Sequence, residues 1–329
     1  NAYAGSTRVI KGAVFNFSRM VCRTQPSAVA LVPQLYARLK DGDLSPAGGL
    51  LADKTLDLQV QGTLANLGTL AGRQLVSLTA ENLRNLGGRI AGDEIWLTAR
   101  QDIDNLGGTI AADSRLDAYA GRNLTIASTV RSEGGQTNID RLAGLYVQNP
   151  EGTLKLAAAG DIKLIAVQLQ SAGSTDIEAG HDLTLGTVTT AYANSVGNGR
   201  HTRQESGSRE VGTAIESQGD LTLKAGNNLT ARAAEVTSTE GRLLATAGND
   251  LRIEAGESTL NVAEQHKYTS KGFLSKKTTT TRDTLTDVTA LASTFSGDSV
   301  TPVQGMQQML KDEKPTDQNI NRFLAKRKT

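Results

Sequence analysis

Three histidines are the first side chains to test for chemistry, and they stand at His181, His201 and His266. No His-Glu-x-x-His segment occurs, so the spacing that lets one helix offer two imidazoles to zinc is missing. A catalytic imidazole or carboxylate would need acidic partners gathered on one face. Recurrent aspartates do occur, at Asp161, Asp182, Asp220 and Asp250, each just after a glycine. A short acidic side chain in that place reads as turn chemistry, the carboxylate accepting from local backbone. A calcium stack would call for Gly-Gly-x-Gly-x-Asp, which these segments lack, and asparagine stands in the same slot at Asn123 and Asn228. His181 occupies a slot filled elsewhere by Asn227 and Asn249, which makes it an exposed corner residue. Gly197-Asn198-Gly199 opens like a dinucleotide loop, but Thr202 holds the final glycine position and no βαβ unit surrounds it, so a flexible loop is expected. Cys22 has no histidine near it in sequence and no second cysteine to pair with. The expectation is a chain with no catalytic residue, no metal and no cofactor.

Binding chemistry is better represented. The stretch Lys267–Arg282 carries Lys267, Lys271, Lys276 and Lys277 with the run Thr278–Thr281, a composition suited to an acidic surface such as lipopolysaccharide or a membrane. Tyr146, Tyr192 and Tyr268 lie in or beside irregular stretches and are placed to stack on sugars. Tyr192, Lys267, Tyr268, Lys271, Lys276 and Lys277 are therefore the expected surface contacts. Lys and Arg total 35 against 34 Asp and Glu, a balance that argues against a nucleic-acid partner. No apolar run reaches the ~18–20 residues that span a bilayer. The chain begins at Asn1 without a visible leader, so a mature or interior segment is expected.

These side chains must be positioned by very short elements. Aromatic residues make up only 4% of the 329 residues, while glycine numbers 34, which suits a narrow core of stacked Leu, Ile, Val and Ala. Asn66-Leu67-Gly68 recurs as Asn85-Leu86-Gly87 and Asn105-Leu106-Gly107, and Leu70, Ile90 and Ile110 follow at a spacing of twenty. Downstream, Ala159-Gly160-Asp161-Ile162-Lys163-Leu164 is echoed by the segments beginning at Ala179, Ala225 and Ala247, with a shortened copy at Gly219-Asp220-Leu221-Thr222-Leu223. Leu-x-Leu puts two side chains on one face of a strand too short to bury that face alone. Gly-Asn and Gly-Asp supply tight corners. Strand and corner alternating over about twenty residues make one coil of an all-β parallel solenoid, whose coils cover one another. Asn66, Asn85 and Asn105 fall in register to stack as an amide ladder. An antiparallel sandwich is the rival fold, but it does not require corner residues to recur in phase.

The expected organisation is a non-repetitive lead over 1–46, coils over 47–300, and a tail over 301–329 that is partly helical or disordered. Polar excursions near 128–141, 189–209 and 264–287 read as loops or hairpins thrown out from the rod. The coiled part has room for about a dozen coils less the excursions, a rod on the order of 50 Å long.

Pro33-Gln34-Leu35-Tyr36-Ala37-Arg38-Leu39 followed by Gly42-Asp43-Leu44, the Ala-Gly-x-Asp-Leu coils, the block from Glu210 to Leu223, and Lys271–Lys277 leading to Ser296-Gly297-Asp298 together resemble the large exoproteins of the filamentous haemagglutinin family. The resemblance runs from about Pro33 to Val300 and is specific as a combination. It implies a right-handed parallel β-helix, secreted through a partner outer-membrane transporter and held at the bacterial surface. Family members act as adhesins or as stalks of contact-dependent growth-inhibition toxins, touching a host or neighbouring cell through glycan, lipopolysaccharide or outer-membrane protein. The expected form is a monomeric rod with no nucleic acid. The sequence departs from the family after Val300 and shows neither its secretion domain nor a toxin domain, so a truncated, remnant or excised segment is expected. Parallel β-helices also include polysaccharide lyases and hydrolases, which makes a carbohydrate-active enzyme the alternative.

Overall fold

The computed structural model describes residues 49–304. Most of the sequence-assigned lead and tail, including Cys22 and the Pro33–Leu44 motif, therefore lies outside the described residues. Those described form a parallel β-helix with no helical segment among them. Each coil has three strand segments and three corners. The first and second segments run as one strand bent at a corner in the early coils, Leu50–Gln59, Thr69–Ala80, Arg89–Ala99 and Thr109–Ala120. The register between the second and third of these shifts between Gly72 and Leu75, where the strand turns the corner. Later coils split the pair, as in Gly144–Val147 followed by Thr153–Ala158. The third segments, from Thr63–Asn66 to Leu251–Glu254, make a separate eight-stranded parallel sheet.

Outside the first corner, where the early coils shift, stacking is in register, which is what the twenty-residue period requires. Leu78, Leu97, Ala118, Leu156, Ile177, Leu223 and Ala245 form one inward column on the second face. Leu83, Ile103, Leu124, Ile162, Leu183 and Leu229 form another on the third, all buried. A column of this kind gives each coil an apolar floor and ceiling, so burial stabilises the array through neighbours. Eight coils are complete, and Thr294–Ser296 with Ser299–Gln304 begin a ninth. At one strand spacing per coil the rod is about 40 Å long, shorter than the sequence-based figure because the excursions consume more chain. Residues 301–304, read from sequence as tail, belong to the strand Ser299–Gln304, and Pro302 sits in register beside Ala245.

The amide ladder is present and lies inside the core. Asn66 Nδ2 donates to Asn85 Oδ1, and Asn85 Nδ2 to Asn105 Oδ1, each at 2.8 Å. Asn85 Nδ2 and Asn105 Nδ2 donate to the carbonyls of Gly88 and Gly108, both at 3.0 Å. A side chain on either glycine would run into these amides. From Ile126 onward the same column is aliphatic, through Leu164 and Leu185.

The corner that leads from the third segment into the next coil decides where the excursions emerge. Gly87 and Gly107 turn it with φ of 68° and 60°, and Ala166 and Ala233 turn it with φ of 50° and 46°. In the remaining late coils the corner opens into antiparallel hairpins. The first pairs Thr129–Glu133 with Gln136–Arg141, the second Val188–Gly197 with His201–Val211, and the third Gly256–Lys271 with Lys276–Leu291. They alternate with the two alanine corners, so hairpins leave every second coil. Two coils rise about 9.6 Å, and a two-stranded hairpin is equally thick. The three hairpins consequently fit edge to edge in one six-stranded antiparallel sheet beside the rod.

Candidate functional site

The hairpin sheet is where exposed side chains of distinctive chemistry gather, and its strands lengthen from first hairpin to third. Hydroxyl groups root it in the coils. Thr213 Oγ1, which is buried, donates to the Leu164 carbonyl at 2.8 Å and accepts the Val167 N–H at 3.3 Å. Ser128 Oγ donates to the Ala166 carbonyl at 2.6 Å, and Ser293 Oγ accepts the Ala234 N–H at 3.0 Å. Each hairpin base is thus tied to a neighbouring alanine-turned corner.

The sequence-based contact residues divide between two hairpins. Lys267 and Tyr268 lie on the first strand of the third hairpin, opposite Thr280 and Thr279. Lys271 and Lys276 face each other at its end, with Lys277 opposite Ser270. All of these are exposed, as is the run of threonines on the returning strand. Tyr192 belongs to the second hairpin instead. Its ring covers Gly207 on the adjacent strand, and its hydroxyl donates to Glu205 Oε1 at 3.1 Å. That bond, with burial and the Glu205 charge, raises the Tyr192 pKa above the usual phenol value. Along the sheet it is about 27 Å from the row of Tyr268. Tyr146 is on the rod, its hydroxyl donating to Gln168 Oε1 at 3.2 Å.

Two features of the sheet escaped sequence reasoning. Phe273 and Leu274 form the turn of the third hairpin and are 101% and 94% exposed, ringed by Lys271, Lys276 and Lys277. The signal was an apolar pair inside a lysine-rich stretch. Gly197-Asn198-Gly199 is not a loose loop but lies in and beside the turn of the second hairpin, where Asn198 Oδ1 accepts the N–H groups of Arg200 and His201 at 3.0 and 3.1 Å. This turn brings His201 opposite His266.

The recurrent aspartates have a different use from the local turns expected of them. Asn82, Asp102, Asn123, Asp161, Asp182 and Asn228 each accept, through Oδ1, the N–H of the equivalent residue one coil on, ending at Asp250, over 3.0–3.4 Å. A second donor joins most rungs. Arg122 Nε donates to Asp102 Oδ1 at 2.8 Å, Asn227 Nδ2 to Asp182 Oδ1 at 2.9 Å, and His181 Nδ1 lies 3.0 Å from Asp161 Oδ1. Asp161, His181 and Asp182 form a group with the donor atoms of a metal site. The His181–Asp161 contact repeats one made in sister coils, and the contact of His181 Nδ1 with Asp182 Oδ2 at 3.2 Å is particular to this coil. The Arg122 hydrogen bond holds the Asp102 carboxyl below its usual range. At Asp182 burial pushes upward, and the Asn228 N–H, the Asn227 amide and the His181 charge outweigh it, leaving a lowered value. Near the first corner an open groove is lined by Asp53, Asp93 and Asp113 together with Lys54, Arg73 and Arg89, so its charge is mixed.

Over residues 109–271 and 194–301 the sequence matches the family model described as "Hemagglutinin repeat". A curated protein of Dickeya dadantii (strain 3937), "Deoxyribonuclease CdiA", is 30% identical over 183 residues. That alignment covers 55% of this chain and 6% of the relative, so the chain spans a small part of that protein's length. No solved structure matches.

Proposed function

The chain belongs to the hemagglutinin-repeat family, and from that premise we propose that it is a non-catalytic rod segment of a secreted bacterial surface exoprotein. In this reading it crosses the outer membrane through a partner transporter, stands at the cell surface as a monomeric rod, and holds an adhesive tip or toxin away from the producing cell. The third hairpin engages the surface of a host or neighbouring cell and aids toxin delivery. One observation carries the contact role: fully exposed Phe273 and Leu274, set among Lys271, Lys276 and Lys277 at the far end of the longest hairpin. An apolar pair within a cationic ring suits a lipid surface bearing phosphate, because the rings and alkyl groups enter the interface while the lysines meet the headgroups. Lys267 and Tyr268 extend the same surface toward the rod.

The non-catalytic reading is supported by the aspartate column, whose members serve as inter-coil acceptors. The deoxyribonuclease named for the relative belongs to that protein, of which this chain aligns with 6%. The test is co-sedimentation of the purified chain with outer-membrane vesicles containing lipopolysaccharide. Phe273→Ser with Leu274→Ser, and separately Lys271→Glu with Lys276→Glu and Lys277→Glu, are expected to abolish binding while circular dichroism is unchanged. Binding that survives both sets would remove the contact role. Release of new reducing ends or unsaturated sugars from polysaccharides would establish the carbohydrate-active alternative instead.

A further inference from the structure

His201 and His266 are 65 residues apart in sequence and directly opposite across two antiparallel strands of different hairpins. Their Nδ1 atoms face each other at 3.2 Å. Two imidazole nitrogens bound to one tetrahedral zinc, each at about 2.0–2.1 Å, stand about 3.3 Å apart. The pair therefore already has the separation that a shared ion requires.

The surroundings favour the same atoms. His266 turns its other ring nitrogen, Nε2, toward Glu264 Oε2 at 3.5 Å. Glu264 is itself held by Arg203 Nη1 at 2.8 Å. A carboxylate on the far nitrogen of a ligand histidine places the proton there and leaves the near lone pair for the metal. The backbone under both rings is fixed as well. Asn198 N donates to the His201 carbonyl at 2.7 Å, and Lys267 N donates to the Arg200 carbonyl at 2.7 Å. Tyr268 stands edge-on to the His201 ring with centroids 5.4 Å apart, screening one side. The two histidines are half-buried, which leaves room for water to complete the coordination.

We propose that His201 and His266 are a two-imidazole site for a borderline divalent transition ion of the Zn²⁺ class, which clips the second hairpin to the third. Glu264 is a positioning residue, acting through His266. This proposal stands on the His201–His266 geometry and not on the cell-contact reading, which is carried by Phe273 and Leu274 at the hairpin turn.

The test uses the untagged full chain titrated with Zn²⁺ by calorimetry. One equivalent is expected to bind, His201→Ala and His266→Ala each weakening the affinity by at least about tenfold, and Glu264→Gln weakening it within the roughly tenfold to hundredfold span of outer-shell changes. His181→Asn, which copies the residue of sister coils, is expected to leave the affinity unchanged. A readout free of variants is the histidine ring spectrum by nuclear magnetic resonance, where Zn²⁺ should shift the signals of His201 and His266 and spare those of His181. No saturable binding, affinity unaffected by His201→Ala with His266→Ala, or shifts confined to His181 would each overturn the proposal.

Discussion

Asn85 engages three polar groups with one buried side chain, and that makes it the most consequential single residue of the early coils. Its Oδ1 accepts from Asn66, and its Nδ2 serves both Asn105 and the Gly88 carbonyl. Asn85→Ala leaves Asn105 Oδ1 without its donor and empties a buried position, while Asn66 Nδ2 keeps the Arg89 carbonyl and the Gly88 carbonyl keeps the Thr109 N–H. A buried orphan costs about 1–3 kcal/mol. A loss of about 3 kcal/mol is expected by urea unfolding, whereas a surface asparagine such as Asn194 changed to alanine should cost less than about 0.5 kcal/mol. The opposite sign is expected at Thr175, an inward residue stacked between Leu154 and Leu221, whose Oγ1 has no partner. Thr175→Val keeps the shape and removes an unsatisfied hydroxyl, so unfolding should move to higher urea by about 1 kcal/mol of stability. The asparagine ladder was legible because the triplets recur in phase. Thr175 was not, since a threonine in an alternating segment reads as an outward residue. The facing of His201 and His266 was invisible for a different reason: no local pattern reports which hairpin lies beside which.

At the scale of elements, the corner column of Asx residues shows how a correct pattern can carry a wrong role. Glycine followed by Asp or Asn does mark a corner, and the corner is where the structure has it. The oxygen, however, reaches forward to the next coil and not to its own turn. A local turn and an inter-coil rung use the same residues, and only stacking decides between them. The consequence is measurable through pH. Asp102 and Asp182 both have carboxyls held below the ordinary aspartate value in the folded chain. Near pH 4 the unfolded chain therefore binds more protons than the folded one, so stability rises with pH there. Their contribution is complete above the ordinary aspartate pKa of about 3.9 and disappears as the pH falls below it toward the lowered values. Urea midpoints measured from pH 7 to pH 2 should fall steeply at the acid end. Asp102→Asn with Asp182→Asn should flatten that fall while leaving coil stacking intact, because asparagine keeps the oxygen that accepts the next N–H, as Asn123 and Asn228 already do.

For the whole molecule, the governing fact is a match of two thicknesses. Parallel coils and antiparallel hairpins share one strand spacing, so a two-stranded hairpin leaving every second coil fills the height between its neighbours. The sequence shows the coils through their period and the excursions through their loss of it, yet their fusion into one sheet follows only from that geometric match. The rod should then fold without the sheet. Removing residues 187–211 joins Gly186 to Gly212 and Thr213, a pair that corresponds in position to the Ala166–Val167 corner of the neighbouring coil. Glycine suits the left-handed turn that Ala166 makes under strain. The shortened chain is expected to keep cooperative unfolding, with a smaller loss than Leu223→Ala, which empties a core position at a cost of about 2–5 kcal/mol. It should differ from the parent in solution behaviour. The strands Gln136–Arg141 and Gly256–Lys271 lose the neighbours they have in the second hairpin and become open edges, and open edges recruit strands from other molecules. Sedimentation should show a folded chain whose association grows with concentration beyond that of the parent. Loss of the cooperative transition would mean instead that the hairpin sheet is part of what holds the coils together, and the rod would not be separable from the surface it displays.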